Sequence, residues 1–247
     1  MSYFIFDGVL KCGQEYNLDK QETRHLTRSR RLRSGEKFLI QDKIGNRFEA
    51  IIVNSNGSLL TFIPNISVDT PPPSSLRIEI LQALTKEKAI NWIIQKSTEL
   101  GVNQIDFFYA AFSPVSFQNL KTRNPLNRWN RIALEASKQC GRQFPPAIFL
   151  HENLLKALES LTKCSNSWVL TPAIKKTVTW GKLNKKNNFK SHQRILIGPE
   201  GGLHTEEIDL AISSGMLPID LGPRILRSET SAIAAVSILQ FLYGDLK

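Results

Sequence analysis

The chain has 247 residues and carries 32 Lys and Arg against 22 Asp and Glu, a formal net charge of +10. That length allows one or two domains with a sizeable core, and the basic excess points to a polyanionic partner, RNA or DNA first, ahead of a merely solvated basic surface. Cys12, Cys140 and Cys164 are too few, odd in number and out of CxxC spacing for a disulfide scaffold or a zinc site and fit a reducing cytoplasm; no apolar run reaches membrane-spanning length, and MSYFIFDG lacks a secretory leader pattern.

Tyr3 to Phe6 reads as a short apolar strand. Asp19 or Thr23 is a candidate cap for a helix over 24–32, and the run RHLTRSRRLRSG clusters Arg24, Arg28, Arg30, Arg31 and Arg33. Phosphate contact is favoured there over a solvated face, and it would give affinity without base specificity. Strand-like runs follow at 37–41, 47–53 and 58–63, separated by turns in which Asn56-Gly57 is a strong hairpin signal. Short strands at this spacing predict a small β-barrel. Pro71-Pro72-Pro73 cannot continue a ladder and favours extended geometry. The expected division is a barrel over 1–70, a linker over 71–75 and a second domain over 76–247.

Past the linker the pattern alternates between strand and helix. Strands are expected at 76–84, 104–109, 147–150, 167–171, 194–197 and 218–221. A helix over 87–100 has Ile90, Ile93, Ile94 and Ser97 on one face and Gly101 as its stop. Another, over 125–139, carries Trp129, Ile132, Ala133 and Ala136 at helical spacing, and a third covers 154–161. Thr205 is the expected N-cap of a helix ending near Ser214, where Gly215 stops it; His204 reads as surface. Repeated βα units predict a mostly parallel, right-handed sheet with helices on both faces. Between Thr171 and Gly198 no acidic residue accompanies Lys175, Lys176, Lys182, Lys185, Lys186, Lys190 and Arg194, so the stretch is either a solvated loop or an RNA contact. The last helix, from Ser228, is apolar nearly all round apart from Ser237 and Gln240, so it is buried on more than one side, within the monomer or at a subunit interface.

Two of these strands run into glycine-proline loops. Arg194-Ile195-Leu196-Ile197 is followed by Gly198-Pro199-Glu200-Gly201-Gly202, and Pro218 to Leu221 by Gly222-Pro223-Arg224-Ile225-Leu226-Arg227. Glycines let a ligand lie directly on the main chain, and ligands of α/β sheets sit beyond the carboxyl ends of strands. Ile197, Leu221, Ile225 and Leu226 can wall an apolar slot, with Gly198, Gly201, Gly202 and Gly222 bringing the backbone to it. Pro199 and Pro223 stiffen the loops, and Glu200 either bonds a sugar hydroxyl or shapes its loop. His25, His151, His192 and His204 show no metal-ligand spacing.

Taken with Lys86-Glu87-Lys88, the run Gln95–Val102 (QKSTELGV) and the run Glu135–Arg142 (EASKQCGR), the GPEGG and LGPRILRSETS loops resemble the RsmE family of the SPOUT superfamily. The match in order and spacing covers nearly the whole chain. Two departures are Ser231, where alanine is usual, and Ala111 to Ser116, where the family has a more charged run. The resemblance implies S-adenosylmethionine-dependent methylation of N3 of a uridine in small-subunit (16S) ribosomal RNA, in the assembled subunit. It implies a PUA-like RNA-binding barrel, then a SPOUT α/β domain closed by a trefoil knot that forms the cofactor pocket, and a cytoplasmic homodimer packed through that knot domain. It adds Leu170 and Thr171 as a third edge of the cofactor slot, and it requires no metal and no membrane. Arg227, between the second loop and a helix N-terminus, is the expected catalytic cation for a uracil imide losing its N3 proton. Glu229 is the candidate base, a partner that holds Arg227, or a first-turn acid. A SPOUT ribose 2′-O-methyltransferase and a non-catalytic ribosome-assembly protein are the competing readings; the barrel weighs against the first and the intact loops against the second.

Overall fold

A computed structural model of the chain describes residues 3–18, 20–24, 26, 32–55, 59–114, 124–162, 164, 166–171, 178–180 and 192–246. They group into two compact units, Met1–Pro72 with Ser137–Phe144, and Pro73–Ala136 with Pro145–Lys247.

The first unit contains β1 (Phe4–Ile5), β2 (Tyr16–Leu18), α1 (Lys20–Arg24), β3 (Lys37–Gln41), β4 (Arg47–Ser55) and β5 (Leu60–Val68). Its five strands form one sheet in the order β1-β3-β4-β5-β2, curled into a half-barrel. Among the described residues only β1 pairs in parallel, with β3. Alternating residues turn inward, so Phe4, Phe38, Ile40, Phe48, Ile52, Leu60 and Phe62 make the core. The Phe62 ring meets Phe6 and Phe38 edge-on, with centroids 5.8 and 5.6 Å apart. β5 runs five residues past its expected end at Ile63. Pro64 pairs with Ala50 beside a register shift between Glu49 and Ala50, and its carbonyl accepts from the Gly13 N–H at 2.8 Å; N and C=O of one strand residue share a side, so the missing donor faces away from the β4 ladder. Thr23 is buried within α1 and its hydroxyl donates to the Leu18 carbonyl at 3.2 Å; Asp19, the other candidate cap, lies outside the described residues. The expected helix over 24–32 meets described residues only at Arg24, Leu26 and Leu32; Arg28, Arg30 and Arg31 lie outside them, as does the Asn56-Gly57 turn.

The second unit contains β6 (Arg77–Ala83), α2 (Glu87–Glu99), β7 (Gln104–Phe108), α3 (Pro125–Cys140, up to Ala136), β8 (Ala147–His151), α4 (Leu154–Ser160), β9 (Asn166–Leu170), β10 (Val178–Thr179), β11 (His192–Ile197), α5 (Thr205–Ser213), β12 (Leu217–Asp220) and α6 (Ser228–Tyr243). Its sheet has seven strands in the order β10-β12-β9-β11-β6-β7-β8, and every pairing is parallel. β10 had no signal in the sequence.

Both faces of this sheet are covered, which explains the near-continuous apolar runs in its strands. On one face Ile78, Ile80, Ile195 and Ile197 pack with Ile90, Ile93 and Ile94 of α2, Trp129 of α3 and Ala232, Ala235, Val236 and Leu239 of α6. On the other, Leu81, Ala83, Phe108, Val169 and Leu196 pack with Leu154 and Ala157 of α4 and Ala211 of α5. Gly101, at φ +84°, closes α2 as expected.

One local expectation needs correction. His204, not Thr205, is the N-cap of α5: its Nδ1 accepts from the Glu206 N–H at 3.4 Å, while Glu207 Oε2 accepts from the His204 N–H at 2.8 Å. Gln240, one of the two polar exceptions on α6, is buried. Its amide nitrogen donates to the Leu100 carbonyl at 2.7 Å and its oxygen accepts from the Asp245 N–H at 3.1 Å. On the other side of α6, Phe241 is 57% exposed and Ile233, Ala234 and Ile238 are partly exposed.

Candidate cofactor site and catalytic residues

β12, β9 and β11 lie side by side and parallel, so their carboxyl ends open at one edge of the sheet. That edge receives Leu170 and Thr171 from β9, Ile197 to Gly202 from β11 and Leu221 to Arg227 from β12. The three segments named from the sequence are therefore brought together, and the Thr171 N–H donates to the Ile219 carbonyl at 3.1 Å.

In the first loop Ile197 and Pro199 are buried, whereas Glu200 and Gly201 are exposed. A Cβ on Gly198 would come within 3.1 Å of the Leu203 amide nitrogen, so only glycine fits there without displacing the backbone. The left-handed residue is Gly202, at φ +79°, not Gly201. Gly201 meets a different constraint: a Cβ there would lie 3.0 Å from the Cβ of Phe112. Phe112, within the segment that departs from the family pattern, thus packs against the glycine loop. Ala111 N–H donates to Glu207 Oε1 at 3.0 Å, and the Phe112 ring meets the His204 ring edge-on at 5.7 Å. Glu200 Oε1 accepts from the Lys86 N–H at 3.4 Å, a contact that shapes the loop.

In the second loop Gly222, at φ +95°, donates its N–H to Asp220 Oδ1 at 2.9 Å. Leu221 and Leu226 are half-buried, but Ile225 is 97% exposed, standing out from the rim instead of walling a closed slot. Exposed glycine backbone beside Leu170, Leu221, Leu226 and an apolar side chain with no protein cover fits a flat, largely apolar ligand such as an adenine nucleoside. Among the described residues no cluster of His, Cys, Asp and Glu could hold a metal ion.

Arg227 is exposed and is itself the N-cap of α6, without a capping side-chain bond. It lines a cavity of about 670 Å³ together with Glu229, Thr230, Ile233 and Ala234 of α6 and Lys88, Ala89 and Trp92 of α2. No ion pair joins Arg227 to Glu229 among the described residues. Trp92, 58% exposed, gave no functional signal in the sequence.

Sequence reasoning also missed Gln82 and Ser228. Gln82 is fully buried at the end of β6, and its Nε2 donates to Ser228 Oγ at 2.9 Å and to the Ala83 carbonyl at 2.9 Å. Ser228, the first residue of α6, donates its hydroxyl to the Gly198 carbonyl at 2.6 Å. The available signals were weak: Gln82 is one of two polar residues, with Glu79, in the otherwise apolar run IEILQAL, and Ser228 lies within the LGPRILRSETS loop without a partner in view.

Of the arginines assigned to RNA, Arg24 and Arg33 are exposed in the first unit. The six lysines from Lys175 to Lys190 lie outside the described residues. Arg194, grouped with them by charge, is buried and bonded to Glu79, so it is not an RNA contact.

Comparison with known proteins agrees with this geometry. Residues 72–240 match the model of an RNA methyltransferase domain, and residues 18–64 that of an RNA methyltransferase PUA domain. The chain is 33% identical over 239 residues to the ribosomal RNA small subunit methyltransferase E of Buchnera aphidicola subsp. Schizaphis graminum, covering 96% of this chain and 94% of that one. It is 27% identical to the protein of the same name from Bacillus subtilis, with 93% of each covered. The crystal structure of a ribosomal RNA small subunit methyltransferase E from Neisseria gonorrhoeae bound to S-adenosyl methionine superposes with a TM-score of 0.88 at 26% identity, over 100% of both chains.

Proposed function

The chain belongs to the RNA methyltransferase family that carries a PUA domain, with relatives named ribosomal RNA small subunit methyltransferase E, and on that premise we propose that it methylates N3 of a uridine in 16S ribosomal RNA with S-adenosylmethionine as methyl donor. The observation that carries this reading is the convergence of three loops from β9, β11 and β12 on one sheet edge, with an exposed Arg227 directly after the third.

S-adenosylmethionine supplies a methyl group that is already activated, so the chain needs to bind, orient and prepare the acceptor. Leu170, Thr171, Ile197 to Gly202, Leu221, Gly222, Ile225 and Leu226 hold the cofactor in this reading. The acceptor is a uracil imide whose N3 becomes nucleophilic when its proton leaves. Arg227 stabilises the charge that then spreads onto the flanking carbonyl oxygens. Glu229, on the same cavity rim, is the residue assigned to take the proton.

Arg24 and Arg33 of the first unit hold RNA phosphates, with Arg28, Arg30 and Arg31 of the same run. The half-exposed apolar side of α6 is the face through which two copies pair, and the trefoil knot of the cofactor domain belongs to the same reading. The enzyme works in the cytoplasm on the assembled subunit. Mass mapping of methylated nucleotides in small-subunit RNA from cells with and without this protein tests the proposal. Loss of one N3-methyluridine is the expected result; loss of a ribose methyl group, or no change, would sink it.

A further inference from the structure

We infer that Gln82 is a positioning residue for methyl transfer, acting through Ser228 to hold the glycine loop and the base of Arg227 in one rigid frame; this rests on the function proposed above. The hydrogen bonds have a direction. The Gln82 amide donates to Ser228 Oγ at 2.9 Å, and the single hydroxyl proton of Ser228 goes to the Gly198 carbonyl at 2.6 Å, which can only accept, so Ser228 has no proton left for Gln82 and must accept from it. The Gln82 nitrogen also lies 3.5 Å from the Gly198 carbonyl. Gly198 opens the first loop, and Ser228 follows Arg227 at the start of α6.

Gln82 is well placed for this because it sits in β6, whose ladder with β11 sets it opposite Ile197, the residue before Gly198. Packing alone does not account for it. Its neighbours Ile80, Leu81, Ala83 and Leu84 are all buried apolar residues, and Gln82 is fully buried among them. Among the described residues its Oε1 has no hydrogen-bond partner, a cost that a leucine or methionine would avoid. What the amide supplies is the link between the two loops. Rigid support of this kind is how a reacting geometry is kept within fractions of an ångström.

The test uses the full-length protein with Gln82→Met, which keeps length and loses the donor, Ser228→Ala, and the double variant. S-adenosylhomocysteine binding is measured by calorimetry, methyl transfer by single turnover on unmethylated small subunits at saturating cofactor, and stability by thermal unfolding. All binding and rate measurements are made well below the unfolding transition. Each single variant is expected to weaken cofactor binding by about tenfold, and to slow transfer at saturation by at least as much again. The double variant is expected to match the worse single, because both changes cut the same relay. Lower melting temperatures with affinity and saturated rate within about twofold of the parent would mean a structural role only and overturn the inference; so would additive losses in the double variant. Ser228→Ala removes one oxygen and carries the test alone if Gln82→Met does not fold. A parent protein that neither binds the cofactor analogue nor transfers a methyl group would overturn the function itself, a result separable from failure of the relay.

Discussion

Arg194 Nη2 lies 2.7 Å from Glu79 Oε2, with both side chains buried and their strands β11 and β6 in register at this pair. Arg194 Nε also donates to Glu79 Oε2, and its Nη2 to the Thr162 carbonyl. The other carboxylate oxygen is met by Arg77 Nε at 3.0 Å and lies 2.9 Å from His192 Nε2. Removing one partner of such a pair strands the other in the interior. Arg194→Leu is therefore expected to cost about 3 kcal/mol, at the low end for a broken buried pair because Arg77 and His192 remain. Glu79→Leu with Arg194→Leu should recover most of that loss. Urea unfolding at neutral pH checks both; a near-neutral Arg194→Leu would mean the pair contributes little.

The same carboxylate makes stability depend on pH. Burial alone would raise the Glu79 pKa, but the Arg194 hydrogen bonds and charge, with His192 and Arg77, outweigh it and hold the group below its ordinary value of 4.5. A carboxylate depressed in the folded state binds protons more readily when unfolded. Its stabilisation is therefore complete above the unfolded value and is lost as pH falls through the folded one. Stability should be flat for this group at neutral pH and decline below about 4.5. In Glu79→Gln that part of the acid slope should disappear. Denaturant titrations between neutral and acid pH measure it, and an unchanged slope in the variant would assign the acid sensitivity to other carboxylates.

The two exposed-loop glycines should fail in different ways. Gly202→Ala has open space around its Cβ but forces φ +79° on an L-residue, so it should cost about 1–2 kcal/mol of stability. Gly201→Val meets no positive φ. Its branched side chain would press on Phe112 and fill the exposed face of the loop. It should leave a folded protein that no longer binds S-adenosylmethionine. Calorimetry beside thermal unfolding separates the two effects, and unchanged affinity in folded Gly201→Val would remove this loop from the pocket.

What the sequence disclosed and what it hid differ by range. The alternation of apolar strands and amphipathic helices is local, so the parallel sheet and its two helical layers were legible, as were both glycine-proline loops. Arg194 was misread because its partner Glu79 is 115 residues away and the lysines are its neighbours in sequence. Gln82 carries no motif, and Ser228, though within LGPRILRSETS, meets it across 146 residues that local pattern cannot bridge. Gln240 stood out only as a polar exception, because a helix-end amide gives no hint of the Leu100 carbonyl it reaches. Pro64 appeared to end a strand, since a register shift is invisible before pairing is known. Of two adjacent glycines, nothing in the sequence says which takes the left-handed conformation.

Arg227 carries the sharpest expectation. It is exposed at the mouth of a cavity, it caps α6 through its backbone alone, and among the described residues no ion pair ties it down. The structural alternative, a pair with Glu229, therefore has no contact to support it, although both residues line the same cavity. An unpaired guanidinium beside the second cofactor loop is available to a substrate anion. Its planar fork can meet a uracil carbonyl oxygen and a phosphate together. Arg227→Ala should keep the fold and most of the cofactor affinity but slow methyl transfer by roughly a hundredfold or more, the usual cost of removing one such stabilising donor. Arg227→Lys should recover only part of the rate, because the charge returns without the fork. If Glu229 takes the N3 proton, Glu229→Gln should lower the rate at neutral pH and lose part of that deficit as pH rises and the imide ionises unaided. Single-turnover rates on unmethylated small subunits with saturating cofactor, measured across pH, decide all three. A near-parental rate for Arg227→Ala would leave the arginine without a catalytic role, and a Glu229→Gln deficit independent of pH would make Glu229 a helix-end acid instead of a base.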